Sequence, residues 1–411
     1  MLFIVKLNLI VLGVGAILAG LCFYLDRRLL QNYKEYPDET QETAEFVYLS
    51  FMKTLTVFYF MDIFLITISL TVIAVLSMPH IFSLPPELSL LILVGEALFV
   101  LGGIATLPVA LKKRYADTTA YISVSHMTEP ILSKLSDELA ERFDISSVDD
   151  IHITPGAEIE IAEDVNSLDN IFSGGYKRLK IGLSSLQFLT ASDLKVLLAR
   201  QFAYYDGSDE SAGIVIKRLN QRFQAIADNI IDYEILLSFN PVAWFAFMGR
   251  TVISNITSGY SLVSELKADV AAAEYSGTSR LKNALARYHV ESELLKETIN
   301  TVNSKREYGQ DDLGNIYQAM KGARFKTSNE IGEMVKYLFD DYQSDARKGT
   351  GHSLKLRLRR LPEKAVPVGR QEASEPDIKY PAYTYLNDWL TTENRMMRII
   401  GSDPNLYVGS E

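Results

Sequence analysis

Cysteine is almost missing from this chain, and its few histidines are dispersed. Cys22 is the one cysteine among 411 residues, and no two of the five histidines have a spacing that would place them together on one helix face. A single thiol excludes an internal disulfide framework and a cluster of thiolate metal ligands. Acidic residues outnumber basic ones, and the formal net charge of −10 argues against nucleic acid as a partner.

Charged residues are also rare in three long stretches near the N-terminus. Residues 7–25, 55–78 and 88–111 are apolar, and each run reaches the ~20 residues that a helix needs to cross ~30 Å of hydrocarbon. The first run is longer than the ~7–15-residue core of a signal peptide and ends without a small-residue cleavage site. We therefore expect three retained transmembrane helices within residues 1–115 and contact with a lipid bilayer.

Basic residues lie mainly on one side of these runs. Four of them occur between the first and second runs, and Lys112, Lys113 and Arg114 follow the third, whereas residues 80–87 contain none and Lys6 alone favours the other side. Lys and Arg close to a span resist translocation. The sequence therefore predicts an N-terminus outside the cell and a cytoplasmic location for the chain after Lys112.

Two acidic residues interrupt the apolar runs. Measured from the cytoplasmic ends, Asp62 lies about seven residues deep and Glu96 about fourteen, so at ~1.5 Å per residue their depths differ by roughly 10 Å and they are not expected to pair. A carboxylate in hydrocarbon is usually paired, protonated or functional. For Asp62 the simpler interpretation is an acid near the interface that reaches water. Glu96 is a candidate for contact with a polar neighbour in the helix bundle or in another subunit.

The rest of the chain predicts a mainly α-helical fold with a small β-sheet over residues 116–362, followed by a linker and a docking helix over 363–411. Alternating apolar residues indicate three short strands: 151–154, 158–161 and 179–183. Apolar residues at helical spacing indicate five helices: 117–143, 194–206, 213–237, 261–276 and 385–400. The very apolar segment Val242–Met248 is too short to span a bilayer, so it is interpreted as buried core or as a membrane-interface helix.

Two of these helices carry residues in a pattern that resembles a known family. The first begins at Thr190, in a capping-box-like start with Asp193, and continues to Arg200-Gln201-Phe202-Ala203-Tyr204; the second contains Glu265 and Asp269. This arrangement resembles the gluzincin membrane peptidases of the HtpX and CAAX-prenyl-protease type. In that family the first helix carries His-Glu-x-x-His, and the later helix supplies a Glu from a Glu-x-x-x-Asp pattern.

Further elements of the resemblance lie on either side of these helices, and together they cover roughly residues 117–362. The segment Asp169–Phe172 is similar to the family's substrate-binding edge strand, which would place Asn170, Ile171 and Phe172 in a groove. His352 to Arg357 resembles a late His-Pro-x-Leu-x-x-Arg element without its proline. The resemblance also gives Asp209 and Asp269 a supporting role, in common with His352 and Arg357.

The chemistry of the family motif shows which functions are lost when its residues are replaced. Two histidines four residues apart share one helix face and one zinc ion, the Glu between them deprotonates bound water, and a distant carboxylate completes the site. Arg200, Gln201 and Tyr204 occupy those three positions here. Arginine stays protonated, glutamine is not a base, and a neutral phenol is a poor zinc ligand. Of the metal-and-base set only Glu265 is present, so we expect neither a metal cofactor nor hydrolysis.

The resemblance therefore implies a pseudoprotease that binds a protein partner or polypeptide client, as a regulator, an adaptor or a subunit of a larger membrane complex. Arg200 is expected to replace the metal's charge and to pair with Glu265. The alternative is an active membrane zinc metalloendopeptidase with unusual ligands, for which Asp206, Asp209, Glu210 and Glu265 are the nearby acids. A transporter or channel subunit, suggested by Glu96, is the weaker third interpretation because three helices form no pore without oligomerisation.

Overall fold

A computed structural model gives the architecture of the protein. The residues that it describes are 2–35, 42–111, 120–125, 127–163, 175–205, 212–231, 240–307, 315–324, 357–358, 361 and 380–402. The fold is mainly helical with a small mixed sheet, and the chain forms two compact units. Among the described residues, 2–111 and 212–263 belong to the first unit, and the others belong to the second.

Three helices open the first unit. They are α1 (Leu2–Glu35), α2 (Glu42–Ile81) and α3 (Pro86–Leu111). Within them Lys6–Tyr33, Thr43–Ile81 and Pro86–Pro108 are long and apolar enough to cross a membrane. Many of their large apolar side chains are exposed in the isolated chain, as expected for helices that face lipid rather than water. The three predicted apolar runs are therefore confirmed as helices, and each helix extends beyond its run.

Two later helices pack against these three. Helices α7 (Ala212–Ile231) and α8 (Pro241–Ser276) contribute side chains to one apolar core together with α1 and α2. Asp26 of α1 accepts hydrogen bonds from the backbone N–H groups of Gly259 and Tyr260, at 2.9 and 2.7 Å. The Tyr48 hydroxyl of α2 donates to the Ile256 carbonyl at 2.8 Å. Residues 212–263, which the sequence groups with the peptidase-like domain, thus belong with the apolar helices.

The second unit contains a four-stranded sheet. Its strands are β1 (Ile122–Val124), β2 (Asp150–Thr154), β3 (Ile159–Glu163) and β4 (Lys177–Gly182), in the order β1-β2-β4-β3. β2 and β4 are parallel, and the other two pairs are antiparallel. Buried residues alternate with half-buried ones along β3 and most of β4, so one face of these strands is buried. The three predicted strands are confirmed, and β1 is an addition.

Helices cover this sheet and complete the second unit. They are α4 (Pro130–Arg142), α5 (Leu183–Phe188), α6 (Ala191–Ala203), α9 (Thr278–Glu307), α10 (Ile316–Arg324) and α11 (Trp389–Ser402), with a 3₁₀ turn at Ala382–Tyr385. The prediction of one helix over 117–143 is wrong at its start: β1 comes first, and α4 begins at Pro130, whose fixed φ suits the first helical position. Gly277, with φ of 92°, ends α8 as predicted.

Candidate functional site: a carboxylate held by two arginines

The first helix of the site, α6, begins as the sequence predicts. The Thr190 side chain accepts a hydrogen bond from the Asp193 amide at 3.1 Å, and the Asp193 carboxylate accepts one from the Thr190 amide at 3.2 Å. Arg287 reinforces this start with a contact of 2.7 Å to the same carboxylate. The reciprocal cap satisfies amide groups that lack a partner within the helix. It sets the start of the helix, and Arg200 lies near the other end.

The second helix, α8, presents two acids one turn apart. Glu265 and Asp269 are four residues apart, so both lie on the same face of the helix. The carboxylate of Asp269 is 1% exposed, whereas that of Glu265 is 23% exposed. A buried carboxylate requires hydrogen-bond donors to replace its lost water. Asp269 is therefore the residue around which the site is organised.

Two arginines supply the donors to Asp269. Arg200 donates from Nε to Oδ1 at 2.6 Å. Arg357 donates from Nε to Oδ2 and from a terminal nitrogen to Oδ1, both at 2.7 Å. The second arrangement is the two-pronged guanidinium–carboxylate contact, which fixes orientation as well as charge. Each guanidinium side chain is 13% exposed, so all three partners are largely removed from water.

Glu265 lies beside this cluster at longer range. Its carboxylate is 3.9 Å from the Arg200 guanidinium and 3.8 Å from Nε of Arg357. The sequence predicts Arg200 and Glu265 as neighbours, and they are. Their contact is nevertheless the weaker one, because Arg200 reaches Asp269 at a distance shorter by more than 1 Å. The primary carboxylate partner of Arg200 is therefore Asp269, and not Glu265 as the sequence suggested.

The charges of the four side chains balance without a metal ion. Burial alone would raise the pKa of Asp269, but the positive charges of Arg200 and Arg357 and their hydrogen bonds lower it below its ordinary value. Asp269 is therefore ionised at neutral pH. Two guanidinium groups then face two carboxylates, those of Asp269 and Glu265. A dication added to this cluster would meet two fixed positive charges at short range.

The other residues of the degenerate motif lie at the end of α6. Gln201 is partly exposed, and Tyr204 follows the helix with its amide N–H donating to the Arg200 carbonyl at 3.1 Å. The remaining candidates of the peptidase-like domain lie outside the residues that the structure describes: Asn170, Ile171, Phe172, Asp206, Asp209, Glu210 and His352. Their predicted roles in a groove or around a metal stay predictions.

One edge of the sheet near α6 is engaged by two tyrosines that the sequence did not single out. The Tyr205 hydroxyl donates to the Ile161 carbonyl of β3 at 3.0 Å, and the Ile159 amide donates to the Tyr288 hydroxyl. Burial raises the pKa of Tyr288 to about 12, so the phenol stays neutral. An edge strand captures a peptide through its free backbone groups. At Ile159 and Ile161 those groups already have partners within the chain.

The two acids in the apolar helices have different surroundings. The Ser77 hydroxyl donates to both carboxylate oxygens of Glu96, at 2.7 and 2.8 Å, so Glu96 has a polar neighbour in the same helix bundle. Asp62 is 3% exposed, and a Cβ atom at Gly15 would lie 3.5 Å from its carboxylate. The expectation that Asp62 reaches water is therefore wrong, because α1 passes directly over it at Gly15.

Neither a group of metal-ligating side chains nor a similarity to known proteins assigns a function to this chain. In the described ranges no group of three or more His, Cys, Asp or Glu side chains is placed to hold a metal ion. Comparison with protein-family models, with curated proteins and with solved structures gives no match for this chain.

Proposed function

We propose that this protein is a membrane-anchored, catalytically inactive scaffold of the metallopeptidase type, which acts by binding a protein partner or polypeptide client. The observation that carries the proposal is the pair of guanidinium groups on Asp269. In an active site of the resembled family, this region between two helices would hold a zinc ion and its carboxylate ligand. Here two guanidinium groups lie in that region. Arg200 and Arg357 bind the supporting acid Asp269 and also lie within 4 Å of Glu265, the acid at the ligand position.

Zinc hydrolases require an electron-pair donor at each ligand position and a base next to the bound water. At the first ligand position Arg200 supplies a permanent cation, and at the base position Gln201 supplies a neutral amide. Glu265, the remaining candidate ligand, lies within 4 Å of two guanidinium groups. Its negative charge is therefore already compensated, which lowers the affinity that it could offer to a metal ion.

The proposal also places the chain in a bilayer. Three helices with lengths and apolar surfaces suited to a membrane support this anchoring. The basic residues after the first and third apolar runs support a cytoplasmic second unit. A client would then be recognised at the cytoplasmic side, through a surface of the second unit other than the Ile159 and Ile161 backbone groups.

Hydrolysis of an unfolded protein tests the proposal directly. The purified full-length protein in detergent is incubated with casein, with and without a zinc chelator, beside a Glu265→Gln variant. We expect no cleavage above a protein-free control in any of these samples, and no effect of added zinc. Casein cleavage that disappears both with chelator and with the Glu265→Gln change would overturn the proposal in favour of a metallopeptidase with unusual ligands.

A further inference from the structure

We infer that α8 contains a joint at residues 255–260, held by one side chain from α1 and one from α2, and that the helix changes its bend there when these side chains are released. The inference concerns the helix that carries Glu265 and Asp269, and it does not depend on whether the protein is an inactive peptidase. It follows from the hydrogen bonds at one turn of α8, where backbone groups that a regular helix pairs internally have side-chain partners.

A buried carboxylate contacts two backbone amides of this turn. Asp26 of α1 is 0% exposed, and its two oxygens accept from the N–H groups of Gly259 and Tyr260, at 2.9 and 2.7 Å. Consecutive amides that bond one side chain are typical of a helix start, where these groups have no carbonyl partner one turn earlier. Negative charge is also favoured at a helix start. Asp26 therefore acts as a cap for the part of α8 that follows it.

The carbonyl groups one turn earlier are also engaged by side chains. In a regular helix the same two amides would donate to the carbonyls four residues before them, those of Asn255 and Ile256. The Ile256 carbonyl accepts from the Tyr48 hydroxyl of α2 at 2.8 Å, and the Asn255 carbonyl accepts from the Ser258 hydroxyl at 3.1 Å. All four groups of two successive backbone hydrogen bonds thus have side-chain partners. Insertion of a side chain into this bonding pattern is a recognised cause of helix bending.

The close approach of Asp26 depends on glycine at residue 259. A Cβ atom at Gly259 would lie 2.5 Å from Asp26 Oδ2 and 3.0 Å from the Asp26 backbone oxygen, so alanine would push the carboxylate away from the two amides. The rings of Tyr48 and Tyr260 pack beside this contact with their centroids 5.7 Å apart, and both residues are buried. The sequence of α8 therefore admits α1 at this turn.

The joint lies between two parts of α8 that have different partners. Before it, Asn240 docks the start of α8 on α3 by donating from Nδ2 to the Phe99 carbonyl at 2.9 Å, and the helix as far as Val263 belongs to the first unit. After it, Glu265 and Asp269 belong to the second unit. A change of bend at the joint therefore changes the direction of the helical segment that carries both acids.

The backbone keeps its partners in either state of the joint. When the two side chains withdraw, the amides of Gly259 and Tyr260 donate to the carbonyls of the preceding turn, as in an uninterrupted helix. The cost of release lies with Asp26, because a buried carboxylate needs other donors to replace those that it loses. The two states therefore differ mainly in the contacts of one side chain, as in other elements that switch between two arrangements.

Distances between pairs of spin labels test the joint. The labels are attached to cysteines that replace exposed residues of the full-length protein in detergent, in a Cys22→Ala background. One pair joins Thr54 of α2 to Glu274, fifteen residues beyond Gly259, and the reference pair joins Thr54 to Thr251, before the joint. Fifteen residues of helix extend ~22 Å, so a change of bend of about 20° would displace Glu274 by ~8 Å.

Two variants release the joint by different routes. Asp26→Asn combined with Tyr48→Phe weakens both side-chain contacts at nearly unchanged volume, whereas Gly259→Ala displaces the carboxylate and leaves Asp26 in place. In both variants we expect the distance across the joint to shift or broaden by ~4–8 Å, which corresponds to about 10–20° of bend, and the reference distance to match the parent. Tyr48→Phe alone, the mildest change, should show the same effect with a smaller amplitude.

Tyr59→Phe is the matched control. Like Tyr48, Tyr59 is a buried residue of α2 whose hydroxyl donates to a carbonyl of α8, that of Ala246 at 2.6 Å, but it lies away from the joint. Both distances should therefore stay at the parent values in this variant. An unchanged distance across the joint in the double variant and in Gly259→Ala would overturn the inference. An equal shift in the Tyr59→Phe control would also overturn it, because the shift would then report a general loosening of the packing.

Discussion

Replacing Asp269 by asparagine removes one negative charge from the most enclosed position of the site. The carboxylate accepts three hydrogen bonds of 2.6 to 2.7 Å from Arg200 and Arg357, and it is 1% exposed. Removing one partner of a buried ion pair costs about 3–5 kcal/mol because the other charge stays buried. Asparagine keeps one acceptor oxygen at nearly unchanged volume. We therefore expect the lower end of this range, about 3 kcal/mol.

Glu265→Gln is the matched control for this change. Glu265 contacts the same two guanidinium groups at 3.8 and 3.9 Å and is 23% exposed. Ion pairs of this length that remain partly hydrated contribute about 0–1 kcal/mol. The second unit should therefore unfold roughly 6–12 °C lower in the Asp269→Asn variant and within about 4 °C of the parent in the Glu265→Gln variant.

Thermal unfolding in detergent can report this ranking. The fluorescence of Trp389, which belongs to the second unit, follows that unit alone in a Trp244→Phe background. The midpoint is the quantity to compare, because a chain with two units does not unfold as a two-state system. A Glu265→Gln variant as unstable as Asp269→Asn would refute the reasoning, since it would make Glu265 the anchor of the site, as a metal-bound glutamate is.

The pH dependence of the unfolding midpoint is a second test of the role of the Asp269 carboxylate. Its pKa in the folded protein is lowered from the ordinary 3.8 by the two arginines, despite its burial. The unfolded state therefore binds a proton first as the pH falls. The stabilisation by Asp269 is complete well above pH 3.8 and is lost progressively as the pH falls through that value toward the folded pKa. The Asp269→Asn variant should lack this acid-dependent component in unfolding midpoints measured across that range.

Two further predictions concern the first unit. Gly102→Ala should lower the unfolding midpoint of the first unit, because the added methyl group would collide with Asn240. Gly95→Ala is the control and should not lower it, because the space around Gly95 is open. An equal response of both variants would contradict the docking of α8 on α3. In intact cells that express a Cys22→Ser variant, an impermeant maleimide should label Ser83→Cys between α2 and α3 and should label Lys134→Cys of α4 only after permeabilisation. The reverse pattern would invert the proposed orientation.

Much of the secondary structure was predictable because the relevant signals are local. Apolar runs of sufficient length identified α1–α3, the capping box at Thr190 identified the start of α6, and Gly277 identified the end of α8. The extent of α8 was not predictable. Its middle, residues 249–260, is rich in Gly, Ser, Thr and Asn, which are weak helix formers. Contacts from Asp26 and Tyr48, more than two hundred residues away, support that stretch.

The site was predictable in its members but not in its pairing. The family resemblance brought Arg200, Glu265 and Asp269 into one region, and the spacing of the two acids placed them on one helix face. The resemblance assigned Arg357 only a supporting role, and nothing in the local sequence indicates that it binds Asp269, 88 residues away. The relative burial of the two acids decides which of them holds the arginines, and burial depends on the packing of the whole unit.

The zinc content of the purified full-length protein tests the central claim most directly. The metal is measured by mass spectrometry in protein prepared from zinc-supplemented cells, before and after dialysis against a chelator. Because Arg200 stands at a ligand position and Glu265, the remaining candidate ligand, lies within 4 Å of two guanidinium groups, we predict far less than one zinc ion per chain in both samples. About one zinc ion per chain before dialysis, lost afterwards together with cleavage of casein, would contradict the account.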